Sequence, residues 1–163
     1  MNTTTYMVMI GLPLGLILLI LFTVYNSKGP GAIRKSIASI LPIYEPDVES
    51  GQYNRAVRTI LSNTDHIQDE IEKAVYYTLA ARALAKAEDY RQALFSAEIA
   101  AACYPKNFAG SYKKFQHYKD ESLSIAEQCR EKLDAATTKE ATSAADSFKE
   151  SSAKEIAAWY QVD

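Results

Sequence analysis

The stretch that decides the fold runs from Ala74 to Asn107 and reads AVYYTLAARALAKAEDYRQALFSAEIAAACYPKN. Alanine is its commonest residue, large apolar side chains recur at helical spacing, and Pro105 is its only proline. No part of it alternates between apolar and polar residues with the period of two that strands need. The stretch therefore predicts two helices joined by a short turn at Glu88-Asp89, and the chain from Gly51 onward has the same all-α character.

An internal repeat supports this interpretation. The segment GQYNRAV, residues 51–57, aligns with EDYRQAL, residues 88–94. In both segments an aromatic residue comes two positions after the start, an alanine follows three positions later, and an apolar helical run comes next. Repeats spaced in the thirties of residues are typical of arrays of helical hairpins.

The unit that begins at Ala74 resembles a tetratricopeptide repeat. The family's signature positions are occupied by Tyr77, Ala80, Ala81 and Leu84 on the first helix and by Ala93, Ala97, Ala100 and Pro105 on the second. Small residues at such positions let two antiparallel helices approach closely. The earlier unit matches only in its turn and second helix, because Pro42 and Pro46 predict a loop where its first helix would fall. The resemblance thus covers one and a half repeats, from Gly51 to Asn107.

A long helix is expected after Pro105. Its seam alternates between spacings of four and three residues and consists of Phe108, Tyr112, Phe115, Lys119, Ser122, Ala126, Cys129 and Leu133. Such a helix suits the capping role that terminal repeats need, and a coiled-coil seam for a partner is the alternative. The segment 134–163 is a polar tail with fair helix propensity. In that tail Ile156, Trp159 and Tyr160 share one helical face, which would dock on the domain or anchor another protein.

The N-terminal region carries a different signal. Residues 6–25 read YMVMIGLPLGLILLILFTVY, contain no charged side chain, and as a helix would rise about 30 Å, the thickness of a bilayer core. The segment therefore predicts a single transmembrane anchor over residues 1–26. A cleaved signal peptide is the alternative, but no basic residue precedes the segment and no small-x-small cleavage site follows it. Gly11 and Gly15 form a G-x-x-x-G pair that predicts packing against another membrane helix, although such pairs also arise by chance.

The flanking charges predict the orientation of the anchor. Lys28, Arg34 and Lys35 follow the apolar segment and nothing basic precedes it, so the positive-inside rule places the C-terminal body in the cytoplasm, at the inner membrane. Residues 27–50 are expected to be a linker with a short amphipathic helix that lies on the membrane or packs into the core. The expected organisation is an anchor at 1–26, this linker, a helical domain at 51–133 and the tail.

Chemistry that would indicate an enzyme is not found in the sequence. The two histidines, His66 and His117, lie in no metal-binding or catalytic motif, and the few glycines form no phosphate loop. The formal net charge is −2, and no basic stripe with interleaved aromatic residues suggests nucleic acid. We therefore expect no catalytic site, no cofactor, no metal, no nucleic-acid partner and no small-molecule substrate.

The resemblance to tetratricopeptide repeats implies a protein-interaction module. In that family the binding groove is lined by the first helix of each repeat, which carries over here to Val75, Thr78, Arg82 and Lys86. The expected function is a membrane-anchored scaffold, an accessory or assembly subunit of a larger membrane complex that touches lipid and other subunits. Two alternatives stay open: a tethered receptor that captures a soluble client peptide, and a regulatory subunit of a membrane enzyme.

Overall fold

The computed structural model describes residues 29–64 and 66–148, and the chain divides into two compact units, Met1–Ser36 and Ile37–Asp163. The predicted anchor, with Gly11 and Gly15, lies outside the described residues, and so does the terminal face of Ile156, Trp159 and Tyr160. Within the described ranges, no helix combines the length and the apolar character needed to cross a bilayer.

Six α-helices and one 3₁₀ helix make up the described part of the chain, which contains no strand. In chain order they are α1 (Pro30–Glu49), α2 (Tyr53–Thr64), α3 (Glu70–Lys86), α4 (Tyr90–Cys103), the 3₁₀ helix (Gly110–Phe115), α5 (Gln116–Lys132) and α6 (Ala135–Phe148). The predicted all-α class is confirmed for these residues. Short connections join α1 to α2, α3 to α4 and α5 to α6, and we call these pairs the first, second and third hairpins.

The loop predicted around Pro42 and Pro46 is wrong. Helix α1 continues through both prolines, although each lacks the N–H that a helix interior normally uses. Tertiary packing offsets that loss, because the Tyr44 side chain between them is fully buried and its hydroxyl donates a 2.8 Å hydrogen bond to the carbonyl oxygen of Leu79. The first hairpin is therefore complete, and its first helix includes the residues that the sequence assigned to a loop.

The first two hairpins turn in the same way. After α1, the N–H of Gly51 bonds to Val48 O, at 3.2 Å, and that of Gln52 to Asp47 O, at 2.7 Å. After α3, the N–H groups of the aligned residues Glu88 and Asp89 bond to Ala85 O and Leu84 O at 3.1 and 3.0 Å. Both are Schellman turns, which need a left-handed residue; φ is 76° at Gly51 and 62° at Glu88. The internal repeat found in the sequence is thus a repeat of backbone geometry.

Helix α3 is the centre of the core and packs against α2, α4 and α5. Its start is fixed by Asp69, whose carboxylate accepts the N–H groups of Ile71 and Glu72 at 2.9 and 3.0 Å. Ala81, Ala93 and Ala100 are all fully buried, in agreement with their predicted role as close-contact positions.

The region after Pro105 differs from its prediction in two ways. The expected long helix begins as a 3₁₀ turn and becomes α-helical only at Gln116, although the seam residues Phe115, Ser122, Ala126 and Cys129 are buried as expected. Part of the expected polar tail is the ordered helix α6, which packs on α4. Its two buried alanines and the edge-to-face contact of Phe148 with Phe95, at 6.0 Å between ring centroids, provide the apolar surface. The helical body thus extends beyond residues 51–133 on both sides.

Candidate partner-binding groove

A surface groove of about 370 Å³ lies between α3 and α5. Five of its seven lining residues are polar or charged, while Ala85 and Ile125 contribute apolar surface. The complete lining is Arg82, Ala85, Lys86, Glu121, Ser124, Ile125 and Gln128. Because two consecutive turns of each helix contribute, the groove runs along the helices for a length that suits an extended or helical segment of another protein.

One end of the groove is closed by a bidentate ion pair. The Nε and Nη2 atoms of Arg82 donate to the two carboxylate oxygens of Glu121 at 2.5 and 2.6 Å. The two side chains are only 27% and 28% exposed, and the hydrogen bond that the guanidinium donates to Glu121 raises its pKa. A planar fork of this kind fixes both partners more strictly than a single contact would. The ion pair therefore joins α3 to α5 at a defined register.

The first helices of all three hairpins meet behind this ion pair. Tyr44 comes from α1 and reaches the environment of Arg82, while Tyr118 and Glu121 come from α5. Burial raises the pKa of both tyrosines above the ordinary value, with the positive charge of Arg82 opposing the shift. Both phenols are thus neutral at physiological pH, and Arg82 is held on one side by a carboxylate and on the other by aromatic rings.

The structure separates the four predicted groove residues into two pairs. Val75 and Thr78 are fully buried, so the prediction that they line a groove is wrong. The Thr78 hydroxyl donates to Ala74 O at 2.9 Å and lies 3.0 Å from the hydroxyl of Tyr104, which is a core contact with α4. Position in a repeat therefore did not locate these two residues, which belong to the core.

Arg82 and Lys86 do line the same groove, as their spacing of four residues predicts. Their roles differ, since Arg82 is already paired with Glu121 whereas Lys86 is exposed and forms no ion pair with any described residue. The groove thus offers one available cation beside a hydroxyl, an amide and a short apolar floor. That arrangement can receive a carboxylate together with a few polar or small apolar groups.

Sequence reasoning missed the contribution of α5, namely Glu121, Ser124, Ile125 and Gln128. These residues recur at spacings of three and four on the face beside the predicted seam, so the periodicity that located the seam also locates them. What the sequence did not show was that this face lies against α3.

No group of side chains in the described ranges is arranged to hold a metal ion. The chain matches no protein-family model, no curated protein and no solved structure. The description of the site therefore rests on the geometry of this chain alone.

Proposed function

We propose that this chain is a membrane-anchored interaction scaffold, an accessory or assembly subunit of a larger membrane complex, whose α3–α5 groove holds a partner protein. The observation that carries the proposal is the groove itself, in which Arg82 is locked by Glu121 while Lys86 forms no ion pair with any residue that the structure describes. Fixed walls on two helices reduce the entropy lost when a partner segment docks.

The chemistry of the groove favours an acidic segment as the partner. Lys86 supplies the positive charge, and Ser124 and Gln128 supply groups that can donate hydrogen bonds. An acidic segment would be drawn toward Lys86 by long-range attraction, which is screened by salt. Glu121, whose charge Arg82 compensates, does not oppose such a segment as strongly as a bare carboxylate would.

The membrane part of the proposal is supported by the sequence. The uncharged segment at residues 6–25 has the length of a bilayer span, and the basic residues after it favour a cytoplasmic body. A single span forms no pore by itself, so a role within the membrane requires other chains. An anchor joined to a domain with a groove is the organisation expected of a subunit that holds another subunit at the membrane surface.

Purification of the full chain in mild detergent, followed by quantitative mass spectrometry, tests the proposal. We expect a membrane protein to co-purify in stoichiometric amount and to be lost when Lys86→Glu reverses the groove charge. Lys139→Glu is the matched control, because Lys139 is an exposed lysine on α6, away from the groove. Equal recovery with both variants would place the interface elsewhere, and a varied set of soluble proteins in small amounts would indicate a client receptor instead.

A further inference from the structure

A second surface feature lies where α4 gives way to α5. From residue 99 to residue 119 the chain has four lysines, at positions 106, 113, 114 and 119, and no acidic residue. We refer to residues 105–119 as the basic edge. Each ion pair that the structure shows between described residues uses an arginine, whereas Lys106, Lys113 and Lys114 are exposed and pair with no described carboxylate.

The basic edge is an ordered piece of structure. The ammonium group of Lys119 donates to the carbonyl oxygens of Pro105 and Lys106 at 2.8 and 2.9 Å, which ties the connection after α4 to the first turn of α5. Phe108 and Phe115 are buried beneath it. The three remaining lysines are therefore presented from a fixed backbone, with the half-buried ring of Tyr112 beside them.

Contacts between helices show which end of the bundle carries this edge. Lys119, near the start of α5, meets Pro105 just after α4, and Arg130, near the end of α5, pairs with Glu98 farther back along α4. Helices α4 and α5 are thus antiparallel, and the basic edge lies at the end where α4 finishes and α5 begins.

The same end is where the chain enters the second unit. Across the first turn, Asp47 of α1 meets Arg55 of α2 at 3.4 Å, and Tyr44 contacts Leu79 halfway along α3. The first turn lies beside the end of α3, where Gly51 and Ala87 line one surface pocket. With Tyr44 beside Leu79 and Gly51 beside Ala87, α1 and α3 run in the same direction, so Ile37 and the basic edge lie at one end of the unit. The turns at Gly51 and Glu88 lie at the opposite end.

This end also carries acidic residues at the start of α3. Asp69 is engaged by its own helix, as the two N–H contacts show. Glu70 lies beside Cys103, whose pKa is raised to about 12 by burial and by that carboxylate. These two carboxylates lie at the start of α3, where Lys73 is also near Cys103, whereas the exposed lysines of the basic edge lie on the connection between α4 and α5, next to the exposed Asp120 of α5.

We infer that the basic edge lies against the anionic headgroups of the membrane in which the chain is anchored, an inference that rests on the proposed function. The connection from the apolar segment to Ile37 is short, residues 26–36, and spans at most about 40 Å even when fully extended. Exposed lysines at the end nearest that connection gain attraction from an anionic leaflet within about a Debye length, roughly 8 Å. An interfacial position also suits the amphipathic ring of Tyr112.

Lysine footprinting on the full chain tests this inference. The chain is placed in nanodiscs of phosphatidylcholine alone or of phosphatidylcholine with phosphatidylserine, acetylated briefly, and read by mass spectrometry at each lysine. With phosphatidylserine we expect at least a threefold loss of acetylation at Lys106, Lys113 and Lys114, reversed by high salt. Lys86 and Lys132 are exposed lysines on α3 and at the opposite end of α5, and they should react equally in both discs.

Two variants sharpen the test. Lys113→Glu with Lys114→Glu should abolish the protection of Lys106, whereas Lys132→Glu with Lys139→Glu, changes at exposed lysines outside the edge and the groove, should leave it intact. Equal acetylation in the two lipid mixtures while the chain stays in the disc would overturn the inference and leave the anchor standing. Loss of the chain from both discs after an alkaline carbonate wash would instead refute the anchor. Protection of the edge by inorganic phosphate, RNA or polyglutamate in phosphatidylcholine discs, without phosphatidylserine protection, would assign the edge to another anion.

Discussion

The first and second hairpins have the same turn but fill the space between helices differently. Where the first hairpin has Ile40 and Tyr44, the aligned positions of the second are Tyr77 and Ala81, and all four side chains are buried. In the second hairpin the aromatic residue, Tyr77, lies one helical turn earlier than Tyr44 does in the first. The smaller Ala81 occupies the position that aligns with Tyr44. The repeated unit is therefore defined by its turn and its pattern of burial, while the shapes of its core residues vary.

The two hairpins also contact each other near the groove. The hydroxyl of Tyr44 in the first hairpin bonds to Leu79 O in the second, and its ring lies in the neighbourhood of Arg82. The first hairpin thus supports the wall of the groove from behind, without lining it. Altering the packing of either hairpin should show which of these contacts the fold needs.

The largest effect is expected from Tyr44→Ala. Removing a fully buried aromatic side chain leaves a cavity and costs about 3–5 kcal/mol in the free energy of unfolding. Urea denaturation followed by circular dichroism measures it. Ile43→Ala is the control, because the side chain of Ile43, next to Tyr44 in the chain, is 53% exposed. That variant should unfold at nearly the same urea concentration as the parent. Equal costs for the two changes would contradict the packing described for α1.

A smaller loss is expected from Ala81→Leu, which places a large side chain at the position that Tyr44 occupies in the first hairpin. Overpacking this fully buried site should cost about 1–3 kcal/mol. Thermal melting compares it with Ala136→Leu, a change at an exposed helical alanine. If both variants melt alike, Ala81 is not a close-packed position of the core.

Tyr44→Phe removes only the hydroxyl and should cost about 1 kcal/mol, the value of one buried hydrogen bond. The change should also alter the response to alkaline pH. Burial raises the pKa of Tyr44 above its ordinary 10.0, so the parent loses stability as pH rises through that value, where the unfolded chain ionises first. Urea midpoints measured from neutral to alkaline pH should fall less steeply in the variant, and identical slopes would show that Tyr44 is not buried.

The smallest effects are expected at the two turns, and they should have opposite signs. Gly51→Ala forces a side chain into a left-handed conformation and should cost about 1 kcal/mol, although no atom lies within 4 Å of the added Cβ. Glu88→Gly relieves the same strain in the second hairpin and should gain up to about 1 kcal/mol. Differential scanning calorimetry detects both shifts. Two changes of the same sign would mean that the turns are not equivalent.

How far the sequence predicts this structure depends on the distance over which each signal acts. The repeat and the buried alanines of α3 and α4 are local patterns, and each was found in its predicted place. The helix through Pro42 and Pro46 was missed because a distant contact, Tyr44 with Leu79, outweighs a local preference. The groove was predicted only in part, since the residues of α5 that complete it belong to another helix and their partner face cannot be read from spacing.

Site-specific photo-crosslinking tests the central claim, that a partner protein lies in the α3–α5 groove of the anchored chain, most directly. A photo-reactive amino acid replaces Ser124 in the groove or, as a control, Ser143, an exposed serine on α6. We predict that irradiation in cells yields one crosslinked product from position 124, containing the membrane subunit that co-purifies in stoichiometric amount, and that Lys86→Glu abolishes it. The same product from position 143, or none from position 124 while the subunit still co-purifies, would contradict the account.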